Sequence, residues 1–173
     1  MTDKKKKTIL FVIIIGSFFI YSLIYYAHVF NNAPYNFKEF KSFIIRYGTR
    51  DKMVNYYSST TGEYDYLNKS DSLVKMHLQL TKADLDSLHT YARNLGFWDF
   101  PSEERSSDTT SEASKNIPRY NIQFNYKRKS KHVVFDANFQ GPSKLIDANK
   151  DMIKKITDVL SNAQERQAKT SNF

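Results

Sequence analysis

The sequence predicts an α+β domain, an antiparallel sheet of about six strands with two helices packed on one face, behind a single transmembrane helix. Three observations carry this reading. Lys4-Lys5-Lys6-Lys7 runs into an uncharged apolar stretch, residues 8–30. Several short segments downstream alternate apolar and polar side chains with period two, as half-buried strands do. Two longer segments, one after each group of strands, repeat apolar residues at three- and four-residue steps, as amphipathic helices do.

At about 1.5 Å per residue the apolar stretch reaches roughly 34 Å, against a hydrocarbon core of about 30 Å. A cleavable signal peptide is the rival. Its apolar region is only about 7–15 residues, and small residues mark its cleavage site. Here the run ends in Tyr25-Tyr26-Ala27-His28-Val29-Phe30, which is bulky, and Ala33 precedes Pro34. Four lysines precede the span and the next charge after it is Lys38. Positive-inside bias therefore holds residues 1–7 in the cytoplasm and sends the rest outside the cytoplasmic (inner) membrane, into the periplasm or the medium. Tyr21, Tyr25 and Tyr26 suit the outer interface, and His28 sits at the exit end, as an interfacial histidine and not a proton relay.

Residues 31–40 read as a tether and 41–165 as one domain, long enough for a real core. Lys+Arg and Asp+Glu number 26 and 18 in the whole chain, and 22 and 17 once the four lysines and Asp3 are set aside. That mild excess does not suggest nucleic-acid binding, which needs a concentrated basic face. The chain has no cysteine, which excludes disulfides, thiol catalysis and cysteine metal sites. Its abundance of Asn, Lys, Ile, Tyr and Phe points to an AT-rich genome and a bacterial envelope.

Along the domain, residues 37–47 fit a turn of helix leading into a strand that ends at Gly48. Residues 53–58 and 63–67 flank a hairpin loop, Ser59-Thr60-Thr61-Gly62. A second turn, 68–71, leads to a strand over 73–80 with Val74, Met76, Leu78 and Leu80 on one face. Thr81 is a helix N-cap with Asp84 at the capping-box position. Leu85, Leu88, Tyr91, Ala92 and Leu95 form its stripe, and Gly96 sits where a left-handed C-cap stops it. Phe97, Trp98 and Phe100 are too aromatic for a free loop and are expected under the sheet. Residues 102–117 are polar and serine-rich, which predicts a mobile loop. Tyr120, Ile122, Phe124 and Tyr126 alternate into a basic turn, Lys127-Arg128-Lys129-Ser130-Lys131, and a return strand. Ser143 opens a last helix whose apolar spacing holds to Ala163, and residues 166–173 read as a flexible tail. Thr81-Lys82-Ala83 and Ser143-Lys144-Leu145 open the two helices 62 residues apart. Shared capping chemistry accounts for that likeness as well as duplication does.

The pieces Thr60-Thr61-Gly62-Glu63-Tyr64, Leu80-Thr81-Lys82-Ala83-Asp84-Leu85, Gly96-Phe97-Trp98 and the final hairpin with its helix give the chain a familiar layout. It resembles small membrane-anchored envelope proteins of Bacteroidota-type bacteria over most of residues 41–163. The resemblance is one of layout, and it implies no activity and no site residues.

Catalytic motifs are not evident. There is no Gly-x-Ser-x-Gly elbow, no His-Glu-x-x-His helix and no glycine-rich phosphate loop. His77, His89 and His132 fall on different elements and read as surface residues. Asp147-x-Asn149-x-Asp151 opens like a calcium loop, but Met152 stands where glycine is needed. Asp84 and Asp86 point different ways on a helix, and Glu103 and Glu104 fall in the polar loop. No cofactor and no metal is expected. Two features invite a partner. The turn bearing Lys127, Arg128, Lys129 and Lys131 suits anionic head groups or an acidic protein, or simply a solvated tip whose charge deters edge pairing. Tyr56, Tyr57, Tyr64 and Tyr66 give contact area at low entropic cost, although tyrosine is also an ordinary strand residue. The expectation is an anchored extracytoplasmic binding or accessory module and not an enzyme. The alternatives are an inhibitor or regulatory subunit of an envelope enzyme, and a hydrolase gathering His77 or His132 with carboxylates.

Overall fold

The computed structural model describes residues 3–31, 35–107 and 112–171. It divides into two compact units, which meet in sequence at Tyr35 and Asn36.

The first unit is helix α1, Asp3–Asn31. Within Asp3–Ala27 the most apolar 18 residues have mean hydropathy 2.3 and none of them is buried, and by length and composition the helix is able to cross a membrane. Two of its hydroxyls have acceptors within the helix. Thr8 donates to the Lys4 carbonyl at 3.0 Å and Ser17 to that of Ile14 at 2.9 Å, as lipid requires of any polar group it surrounds.

The second unit is α+β. Its strands are β1 Phe40–Thr49, β2 Asn55–Ser58, β3 Glu63–Leu67, β4 Leu73–His77, β5 Glu103–Glu104, β6 Pro118–Tyr126 and β7 Ser130–Asp136. They form one sheet in the order β4-β3-β2-β1-β6-β7-β5. The sheet has seven strands where about six are expected. It is antiparallel except at β5, which lies parallel to β7 with Glu104 opposite Phe135. That strand comes from the segment read as a mobile loop, whose residues 108–111 lie outside the described part. Ser106 is fastened by its amide to Asp136 at 3.1 Å, and a short helix α3, Glu112–Lys115, precedes β6.

Register explains the core. Phe43 faces Phe124, Ile45 faces Ile122 and Tyr47 faces Tyr120 across the β1–β6 pair. Ile122 then faces Val133 and Tyr120 faces Phe135, while Ile45 faces Tyr57 and Tyr57 faces Tyr64. Period-two alternation puts all of these side chains on one side of the sheet. Phe43, Tyr57, Ile122, Phe124 and Val133 have no exposed surface.

Helices α2, Lys82–Asn94, and α4, Ser143–Ser171, meet that side, α2 through His89 against Tyr126 and α4 through Ile153, Ile156 and Leu160 beside Ile45 and Tyr64. The Thr81 capping box forms in full, with Thr81 and Asp84 bonded in both directions. Gly96 takes φ 72°, which a glycine adopts without strain, and turns the chain so that Phe97 and Phe100 are buried. Trp98 packs edge-on to Phe124 at 5.3 Å. Helix α4 bridges the sheet. Asn149 reaches Glu104 on β5, and Gln164 reaches Tyr66 on β3. Those fifteen residues of helix cover about 22 Å, and five strand spacings about 24 Å, so the helix lies across the strands.

Three sequence boundaries move. The strand predicted over 73–80 ends at His77, with Leu78 and Leu80 still buried. Phe37–Glu39 is a 3-10 turn belonging to the domain, the Phe37 ring stacked on Phe40 at 5.4 Å and tilted against His89 at 5.5 Å, so residues 36–40 are not tether. Residues 166–171 are helical, because Arg166 pairs with Asp84 at 2.5 Å and Gln167 donates to the His77 carbonyl at 2.8 Å. Polarity alone had suggested fraying there.

Candidate ligand-binding site

Strand β1 places Tyr47 on the core side just before Gly48 and Thr49 end the strand. Strand β6 begins at Pro118 and places Tyr120 opposite. The two rings are nearly parallel, 12° apart with centroids at 6.0 Å. The chain then folds back, with Lys52 donating its amide to the Thr49 carbonyl at 3.0 Å and Arg50 to that of Ile117 at 3.1 Å. This return raises Lys52 and Val54 beside the rings. Leu67 closes the far side. Asn55, buried, fixes the spacing by donating to the Tyr47 carbonyl at 3.0 Å and accepting from the Leu67 amide at 2.8 Å. Asp71, at φ 53°, completes the rim from the β3–β4 turn.

These residues enclose an open cleft of about 590 Å³ at one end of the sheet. Size and lining match a small-molecule site, mostly apolar with a few convergent polar groups. Tyr47, Tyr120, Val54, Leu67 and Pro118 supply the apolar wall, and Thr49, Lys52 and Asp71 the polar groups. Val54 and Leu67 keep 36% and 40% of their surface exposed, so the wall is open to an occupant. Burial raises the Tyr47 hydroxyl above the ordinary tyrosine range, its bond to Tyr64 opposing and the neighbouring Tyr120 adding to the rise. Burial raises Tyr64 too, with Tyr47 and Tyr66 adding to it. Both phenols are therefore neutral hydrogen-bonding groups at physiological pH and not nucleophiles. The arrangement can hold a ligand by ring contact and orient it by hydrogen bonds.

The residues expected from sequence scatter. Tyr57 has no exposed surface, and Tyr64 is 8% exposed. They belong to the core, where Tyr57 meets Phe43 at a tilt and Tyr64 edge-on, and burial lifts the Tyr57 hydroxyl to about 12. Tyr66 is half-buried, stacked on Tyr64 at 4.9 Å, its hydroxyl accepting from Gln164 at 3.0 Å. Tyr56 alone of the four lies on the outer face, beneath the Arg46 guanidinium at 5.2 Å. The four tyrosines thus form no common surface. At the basic turn Lys127 is exposed, Arg128 pairs with Glu39 at 2.6 Å, Lys129 is partly buried, and Lys131 turns inward to the Phe100 carbonyl.

The histidines scatter as well. His77 lines a shallow groove of about 350 Å³ beside Arg166 and Gln167. His132 bonds Asn121 at 2.6 Å on the outer face. His89, expected at the surface, is 3% exposed and meets the Tyr126 hydroxyl at 2.7 Å between Phe37 and Trp98. Burial, then the nearby Arg93, lowers it below the ordinary histidine range. Among the described residues no three His, Asp or Glu side chains gather as metal ligands do.

Glu104, expected in a polar loop, is instead part of the core. It has no exposed surface, accepts from Asn149 Nδ2 at 2.5 Å, and is raised to about 7 by burial, against the opposing effects of Asn149 and Lys131. Its Oε1 and the Asn149 Oδ1 are both buried without a hydrogen-bond partner. It stands at the opposite sheet edge from β4 and serves to attach β5 under α4.

Comparison adds no relative. No protein-family model matches the chain, and no curated protein matches it.

Proposed function

We propose that the chain is a membrane-anchored extracytoplasmic module that binds a small amphipathic ligand, or one side chain of a partner, in the Tyr47–Tyr120 cleft. The cleft is the observation that carries this reading. It is concave and roomy, it is walled by two aromatic rings, and its polar groups suit orientation more than catalysis. The length and hydropathy of α1 support an anchor, and the four lysines before it support a cytoplasmic N-terminus with the domain outside the inner membrane.

The test is photocrosslinking in intact membranes, with a photoreactive phenylalanine analogue at Leu67 of the full chain. The reading predicts one discrete adduct, absent when the same analogue replaces Glu165 on α4 and lost when Val54→Arg fills the cleft. An adduct of small mass identifies a ligand. One of protein size favours the regulatory-subunit alternative. An adduct indifferent to Val54→Arg, or none, would contradict a role for the cleft.

A further inference from the structure

Two segments far apart in sequence meet where the chain enters the domain. The Lys127 amide donates to the Glu39 carbonyl at 2.8 Å. Arg128 grips the Glu39 carboxylate with two bonds, Nε to Oε2 at 3.1 Å and Nη2 to Oε1 at 2.6 Å. Phe40 pairs with Tyr126 and Ser42 with Asn125, so the register irregularity between them falls at Lys41, beside the hairpin. The β6–β7 turn is therefore not a free tip. It is fastened to the first residues of the domain, and its charges join those of Lys38 and Lys41.

The resulting patch holds Lys38 and Lys41, each within two residues of Glu39, and Lys127, Arg128 and Lys129 of the turn fastened to it. Lys38, Lys41 and Lys127 are exposed, and half of the Arg128 side chain remains so despite its ion pair. Burial, with the charge of Arg128 adding to it, holds Lys129 below the ordinary lysine range.

We propose that this patch docks on the anionic head groups of the membrane in which α1 is anchored. The inference rests on reading α1 as an anchor. Covalent connectivity selects the occupant. Five peptide steps separate Asn31 from Asn36, and a chain spans at most about 3.5 Å per residue, so the connecting chain is no longer than roughly 18 Å. Basic residues held that close to a lipid surface are attracted to acidic lipids, and the attraction weakens with salt. An acidic protein meets the same charges but must be brought to them; the bilayer is already there.

Lysine acetylation of the full chain in lipid nanodiscs, read by mass spectrometry, tests this. One disc is phosphatidylcholine, and the other carries one third phosphatidylglycerol. Lys38, Lys127 and Lys129 should label about fivefold more slowly in the anionic disc, the factor matching the attraction of a single lysine to such a surface. High salt should abolish the difference, and Lys144 and Lys150 at the start of α4 should not respond. Equal labelling in both discs overturns the patch proposal. So does protection seen in native membranes but in neither disc, which would assign the patch to an acidic protein. A chain that does not enter discs at all overturns the anchor reading as well, so the two failures are distinguishable.

Discussion

Replacing Glu104 by Gln should make the domain's stability less dependent on pH, and the size of the change follows from the buried pair. Glutamate titrates near 4.5 in the unfolded chain, and burial raises Glu104 to about 7 in the fold. The folded state thus holds a proton that the unfolded state has released. Stability from this group is full below about pH 4.5, declines as pH rises to about 7, and stays low above it. A rise from 4.5 to about 7 is worth about 3 kcal/mol. The geometry agrees, since protonated Glu104 can donate to an acceptor and Asn149 Oδ1 is a buried acceptor without a partner beside it. Gln carries a donor permanently. Urea unfolding of the full chain in detergent, followed by Trp98, the chain's one tryptophan, reports on this unit. The stability difference between Glu104→Gln and wild type should move in the variant's favour by about 3 kcal/mol between pH 4.5 and 8. Titration of His89 and Asp136 is common to both proteins and cancels. A difference that stays constant over that range would mean that Glu104 is not held protonated by the fold.

Other substitutions test other parts of the structure. Thr81→Ala removes the capping hydroxyl and should cost about 1 kcal/mol in the same unfolding assay. Arg119→Ala strands Asp136, which has no exposed surface and now takes two bonds from Arg119 at 2.7 and 3.0 Å; the expected loss at pH 7 is about 3–5 kcal/mol. Burial pushes the Asp136 carboxyl up, but Arg119 and the Ser106 amide outweigh it and leave it below the usual range. The stability it lends is therefore present above the ordinary aspartate value and lost as pH falls through its depressed one. Arg119→Ala should then cost less in acid. Val54→Arg, at an exposed wall of the cleft, should leave stability within about 0.5 kcal/mol of wild type while abolishing the Leu67 adduct.

The elements were legible because their chemistry is local. Thr81 and Asp84 announce a capping box, Gly96 a left-handed stop, and Phe124 and Tyr126 an alternating strand, all within a few residues. The site was not, because it depends on pairing. Tyr47 and Tyr120 are 73 residues apart, and only the β1–β6 register sets their rings side by side. The same register turned the tyrosines most visible in sequence, Tyr57 and Tyr64, into core. Glu104 defeated the reading for another reason. Its neighbours are polar, and its burial comes from a two-residue strand and from Asn149, 45 positions away. The end of α4 is hidden from sequence likewise, since Arg166 and Gln167 are held by Asp84 and His77 and not by an apolar stripe of their own.

The claim on which ligand cleft and basic patch both depend is that residues 8–30 remain attached and display the domain outside the cell membrane. Intact mass of the membrane-extracted chain, with protease added to spheroplasts, measures it in one experiment. The account predicts a full-length chain resistant to carbonate extraction, whose domain is digested from outside while the lysine-rich N-terminus is spared. A mature protein shortened by cleavage near residues 27–33 and released by carbonate, or a domain protected until the membrane is breached, would contradict it.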